Sequence, residues 1–302
     1  MYERILVPLD GSNLAEVALS YAEELAGAFD SEVVLLGVSK SAEDQSLHMY
    51  YLYMEQIAKL VKSHIEEHRE KGEGDGVRVK SAIVFGEPAE GILDYSEKND
   101  ISLIVATTHG GSGLKRWAMG SIANRLLRET KTPMILIRSS APHPEAGKRG
   151  LLSKILVALD GSDAGEAVLP YVEEIATKLK AEVILLQVVA SGQHVHTIGG
   201  LDYFLYPEQE VESLKGSAKD YLEKVGRTLR GTEGLVRSEV RVGDAAPEII
   251  NVADEMNVRL VVISTHGHSG VKRWLWGSVA DKVLQAGHTS VMLVRAPSRA
   301  QE

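Results

Sequence analysis

The 302-residue chain contains no cysteine. That absence excludes disulfides, cysteine-ligated zinc and a thiol nucleophile, and it leaves the compartment open, because a reducing cytosol requires no cysteine. A positive balance is missing too. The chain has 33 Lys and Arg against 42 Asp and Glu, a formal charge of −9 that argues against non-specific nucleic-acid binding and against an anionic membrane surface. No apolar run reaches the ~18 residues of a membrane span. The opening MYERILVPLD runs straight into a strand pattern with no charged n-region or apolar h-region, so the expected location is cytoplasmic. Two familiar phosphate loops are also lacking. No Gly-Lys-Ser or Gly-Lys-Thr run follows a strand, and the GxGxxG spacing is absent.

What the chain has is a duplication. ILVPLDGS begins at Ile5 and ILVALDGS at Ile155, 150 positions on, whereas THGGSG at Thr108 recurs 157 positions on as THGHSG at Thr265. The second copy therefore carries about seven extra residues between its early and late motifs. A chain of this length fits two domains of roughly 150 residues. With 44% hydrophobic and 25% charged residues, each half can bury a core. The expected domains are residues 1–140 and 153–302, joined by a linker over 141–152.

In the first half, apolar runs at Arg4–Leu9, Glu32–Val38, Val77–Val84, Ile101–Ala106 and Pro133–Arg138 predict strands. Helical spacing fills the intervals: Leu14 to Ala26 with Ser12 or Asn13 as cap, Leu47 to about Lys71, Pro88 to about Asn99, and a helix starting at Ser121. The second half repeats these elements from Lys154 to Arg295, with a longer loop between Ala190 and Pro207. This alternation predicts an α/β protein of two tandem doubly wound five-stranded parallel-sheet domains. In a Rossmann-like or flavodoxin-like order the first strand neighbours the fourth, and ligands bind beyond the carboxyl ends. Asp10 and the Thr107–Gly113 loop would then face one crevice.

The chemistry concentrates at ISLIVATTHGGSGLKRWAMGS, from Ile101 to Ser121, and at its copy LVVISTHGHSGVKRWLWGS, from Leu260 to Ser278. In each, a strand empties into glycines and, nine residues after Gly110 or Gly267, reaches a Gly-Ser pair at the start of a helix. Glycine permits close backbone approach, and the helix start offers unpaired N–H groups with a positive dipole end. That outlines an anion site held by backbone amides and Ser121, without a Walker lysine. Lys115, Arg116, Lys272 and Arg273 could reach a phosphate or could be solvated surface charge. Asp10 and Asp160 either accept from ribose hydroxyls or hold a metal, or form Asx turns that stop the strand. His109 and His266 read as loop histidines packed over the glycines rather than acid–base groups, since no nucleophile partner has suitable spacing. His194 and His196 would point the same way if extended but lack an evident third metal ligand. Trp117, Trp274 and Trp276 read as packing residues.

These motifs, together with strands ending LLGV and LLQV and a closing VMLVR, resemble the universal stress proteins in their tandem form. The family's nucleotide pattern is glycine, two residues, glycine, nine residues, glycine and serine or threonine. Thr107 and Ser264 stand where its first glycine belongs. The resemblance implies an adenine-nucleotide-hydrolase-like fold and an ATP-binding stress regulator rather than a dedicated catalyst. Carried over, Asp10 meets ribose, Val38 the adenine, and Gly110, Gly120, Ser121 and Ile122 the phosphates. The second set is Asp160, Val188, Gly267, Gly277, Ser278 and Val279. Thr107, His109, Gly113, Ser264, His266 and Gly270 complete the two loops. The family's pairing of final strands implies a pseudo-dimer within the chain through Pro133–Arg138 and Ser290–Arg295, with a homodimer and an unidentified protein partner beyond it. The alternatives are a slow ATPase or phosphotransferase needing Mg²⁺, with no evident water-positioning carboxylate, and a scaffold that binds no ligand.

Overall fold

The computed structural model describes residues 1–43, 46–68, 76–108, 119–138, 150–197, 200–232, 234–265 and 277–296, with side chains omitted at 68 and 193–203. The chain divides into two units. The first is Met1–Leu152 with Ser290–Arg295, and the second is built on Ser153–Thr289.

Unit 1 alternates β1 (Arg4–Leu9), α1 (Asn13–Phe29), β2 (Glu32–Ser39), α2 (Leu47–His68), β3 (Arg78–Phe85), α3 (Pro88–Lys98), β4 (Leu103–Thr107), α4 (Ser121–Glu129) and β5 (Met134–Ile137). β1, β4 and β5 are almost wholly buried because helices cover both faces, which is why these strands read as unbroken apolar runs. The two faces can be assigned from neighbouring residues of β2. Successive strand residues point to opposite sides. Gly37 lies under the ring of Tyr50 on α2, whereas Val38 meets Gly91 on α3. The strand order β5-β4-β1-β2-β3 is parallel throughout, and β1 neighbours β4 as doubly wound topology requires. Beyond β5, the distant segment Ser290–Val294 pairs antiparallel with it, Val291 opposite Leu136 and Leu293 opposite Met134. The second repeat's closing strand therefore belongs to the compact body of unit 1.

Unit 2 orders its strands β10-β7-β6-β11, all parallel: β6 (Lys154–Ala158), β7 (Glu182–Val189), β10 (Val236–Val242) and β11 (Leu260–Ser264). It is not an element-by-element copy. Where unit 1 has one helix of 17 residues, unit 2 has α5 (Asp163–Glu166) and α6 (Leu169–Leu179), broken where Pro170 enters the first turn of α6. The extra residues form an antiparallel hairpin and not a simple loop. β8 (Gly192–Thr197) pairs with β9 (Gly200–Leu205) across a two-residue connection. α7 (Glu208–Gly226), α8 (Ala245–Glu255) and α9 (Ser278–Ala286) complete the unit, and the closing strand Ser290–Val294 is β12. Among the described residues no helix is long and apolar enough to cross a membrane.

Candidate functional site

At the carboxyl end of β1 the chain must leave the sheet and start a helix within three residues. Gly11 makes that turn in the left-handed region, with φ of 80°, and Gly161 does the same after β6 with φ of 83°. The aspartate before each glycine ties the turn together. Asp10 Oδ1 accepts from the Ser12 amide at 3.0 Å and from its hydroxyl at 2.5 Å, and Asp160 Oδ1 accepts from Ser162 at 3.0 and 2.6 Å. Ser12 and Ser162 then cap their helices, accepting from Ala15 N and Gly165 N. Both aspartates thus form Asx turns through Oδ1.

Ser121 is the first residue of α4, where the sequence places the helix start, and Gly120 holds the cap position. The Gly120 amide faces inward and donates to Thr108 O at 2.9 Å, and Gly277 N donates to Thr265 O at 2.6 Å. Both glycine amides are therefore paired within the protein, and neither glycine places a side chain over the helix start. The donors left over are the next three. In α9 the first intrahelical bond runs from Asp281 N to Gly277 O, so the amides of Ser278, Val279 and Ala280 precede it. In α4 the bond from Asn124 N to Gly120 O leaves Ser121, Ile122 and Ala123 in the same position.

Unit 2 draws these parts around one cavity of about 320 Å³. The β6 end contributes Leu159 and Asp160, β7 Leu186 and Val188, β11 Ile263 and Ser264, and the start of α9 its cap Gly277 with Ser278 and Val279. Ala158, Gly165, Ala245, Ile249 and Ala280 complete the wall. Six residues singled out from sequence, Asp160, Val188, Ser264, Gly277, Ser278 and Val279, therefore line the same space. Beyond Val188 and Val279, the apolar part of the wall was not anticipated. Two signals carried it: Leu186 and Val188 share a strand face at period two, and Ala245 and Ile249 share a helix face one turn apart.

In unit 1 the equivalent residues sit at equivalent strand and helix ends. Asp10 is exposed after β1, Val38 is on β2, Thr107 ends β4, and Gly120, Ser121 and Ile122 open α4. Tyr50, which sequence reasoning missed, stands beside the β1 end and Asp10. Its hydroxyl donates to Leu9 O at 2.6 Å, and burial, then the nearby Asp10 charge, push its pKa up to about 12. Tyr53 stacks on Tyr50 with ring centroids 6.1 Å apart and donates to Glu16 at 2.9 Å. Unit 2 keeps the second contact as Tyr221 to Glu166, at 3.0 Å. His109, Gly110, Gly113, His266, Gly267 and Gly270 lie outside the described residues, as do Lys115, Arg116, Trp117, Lys272, Arg273, Trp274 and Trp276. His194 and His196 lie on β8, opposite Tyr203 and Leu201, with side chains outside the description. Among the described residues no cluster of three metal-ligating side chains occurs.

A doubly wound sheet repeated twice, with a cavity beyond the carboxyl ends of the unit 2 strands walled by a helix start and a strand-end carboxylate, defines a tandem α/β protein. The universal stress protein family profile matches residues 1–138 and again 152–295, and the chain belongs to that family in tandem form. A universal stress protein of Mycolicibacterium smegmatis is 24% identical over 308 residues, spanning 96% of each chain. One from Methanocaldococcus jannaschii is 30% identical over 142 residues, 46% of this chain and 83% of that one. Among solved structures, a universal stress protein from Archaeoglobus fulgidus shares the fold at a TM-score of 0.64 and 18% identity, over 98% of this chain and 99% of that one.

Proposed function

We propose that the chain binds an adenine nucleotide, ATP or a close relative, in the unit 2 crevice and acts as a nucleotide-dependent regulator in a stress response. The observation that carries this reading is the convergence of three strand ends and one helix start on a single cavity of about 320 Å³. Its parts fit the parts of a nucleotide. Leu186, Val188, Ala245 and Ile249 form an apolar slot for a base, Asp160 accepts from sugar hydroxyls, and the α9 start offers amides and a positive dipole end to phosphate. Regulation follows from population shift: a ligand touching both the Asp160 turn and the α9 start stabilises the arrangement in which the two are held together.

Calorimetric titration of the purified chain with ATP tests the reading. Saturable binding is expected, and Gly277→Val should abolish it in unit 2, because its side chain would fill space against the helix start. An unaltered titration in that variant, corrected for any unit 1 site, overturns the phosphate placement. ADP accumulating over hours with Mg²⁺ would instead support the slow hydrolase.

A further inference from the structure

The duplication allows the two crevices to be compared position by position, and one difference changes how the aspartate can sit. Gly165 stands where unit 1 has Ala15, each the residue whose amide bonds the capping serine. A Cβ added at Gly165 would lie 2.5 Å from Asp160 Oδ1 and 3.3 Å from Ser162 Oγ. The first distance is well inside van der Waals contact, so Asp160 occupies a place that only glycine leaves open. In unit 1 that space is filled by the buried methyl of Ala15. Asp10 makes the same two bonds to Ser12 with an alanine in that place, and the Ala15 amide stands 3.3 Å from its capping oxygen where the Gly165 amide stands 3.0 Å from its own. Asp160 and Gly165 both line the unit 2 cavity, and two further wall positions are small there, Ala158 and Ala245 where unit 1 has Pro8 and Pro88.

We propose that Gly165 is a positioning residue: by letting the Asp160 carboxylate settle against the start of α5, it sets the acceptor that reads the sugar hydroxyls of a nucleotide in unit 2, and it makes the two crevices unequal in sugar selectivity. This rests on the nucleotide reading above. Restoring a methyl at 165 displaces Oδ1 or shifts the short helix, and the acceptor moves relative to a ligand still held by the apolar slot and the α9 amides. Base and phosphate recognition are left in place.

The test compares ATP with 2′,3′-dideoxy-ATP by calorimetry in a Gly120→Val background that closes the first crevice. A well-placed carboxylate accepting from the sugar gives a preference for ATP of about tenfold or more. Gly165→Ala should lower it to about twofold while affinity for the dideoxy compound stays within about twofold. Ser162→Ala, which releases the same oxygen from its other side, should lower the preference likewise, and it carries the test if Gly165→Ala fails to melt cooperatively. Retention of the preference in either folded variant overturns the proposal. A background protein that binds both compounds equally also overturns it while leaving the nucleotide reading intact. A background protein that binds neither removes both.

Discussion

Glu32 shows how a single side chain can hold three strands. It lies at the amino end of β2, about 7% exposed, with Arg4 Nε of β1 at 2.7 Å and Lys80 of β3 on its other oxygen. Burial alone would raise its pKa, but the Lys80 hydrogen bond and charge, followed by those of Arg4, outweigh that and hold it below the usual carboxylate value of 4.5. A depressed folded pKa means that the stabilisation is complete above the unfolded value and is lost as pH falls through the folded one. Glu32→Gln should therefore cost about 2 kcal/mol at pH 7, and the difference from the parent should shrink steadily below about pH 4. Urea unfolding of both proteins at pH 7 and pH 3 checks this; an equal gap at the two pH values would remove the ion-pair account.

Tyr50 titrates with the opposite sign. Its raised pKa means the folded state retains a proton that the unfolded chain loses near pH 10, so its contribution is full below that pH and disappears as pH rises towards about 12. Gly37 is what admits the ring, since a Cβ there would stand 2.8 Å from the hydroxyl and the ring edge. Gly37→Ala should swing Tyr50 off Leu9 O at a cost of about 1–2 kcal/mol. Spectrophotometric titration should then show one tyrosine returning towards its ordinary pKa. The Gly37–Tyr50 pairing was not legible beforehand, because a glycine in a strand and a tyrosine 13 residues later have no shared pattern. The aspartates were legible as a choice between turn and ligand, and the geometry shows the turn half of that choice in both copies.

At the scale of elements, the strands were the legible part and their ends the illegible part. β1, β2 and β4 lie under helices on both faces, so length and β-branched content alone mark them. Thr107, read as the first loop residue, is instead the last of β4, because its pairing with Ile137 continues one step past the apolar run. The hairpin was hidden for a different reason. In SGQHVHTIGGLDYFLYP the polar and apolar residues do not alternate cleanly, and Gly199-Gly200 reads equally well as loop. What fixes the hairpin is Gly192: a Cβ there would fall 2.1 Å from Phe204 O and 2.9 Å from Leu205 Cα. Any side chain must push the two strands apart at their base. Gly192→Ala should therefore abolish slow exchange of the β8 and β9 amides and of Tyr206 N, which donates to Ser191 O at 2.9 Å. Exchange in the buried strands β6 and β7 should be unchanged, since the hairpin forms a separate sheet. Loss of protection throughout unit 2 would show that the hairpin supports the core.

For the whole molecule, duplication supplied most of what could be read, since each motif located its partner and the doubly wound order placed both at strand ends. Apolar wall residues such as Ile249 and Ile263 were not separable in advance from ordinary core, because a binding slot and a core use the same side chains. That overlap gives a test of the ligand. With a net charge of −9, the chain repels polyanions at long range, so amides at one helix start are a poor site for a bare triphosphate. On the proposed reading an adenine nucleotide gains in addition from burying its base against Leu186, Val188 and Ile249, which line the cavity. At 100 times its dissociation constant, ATP should stabilise the folded state by about 2.7 kcal/mol, raising the melting temperature of unit 2 by about 5–10 °C. Tripolyphosphate at the same concentration should raise it by less than about 2 °C, because it leaves the apolar walls in water. The amides of Ser278, Val279 and Ala280 should exchange more slowly in ATP alone. Equal shifts from the two compounds would mean that phosphate is all the crevice recognises, and the apolar slot would revert to being part of the core.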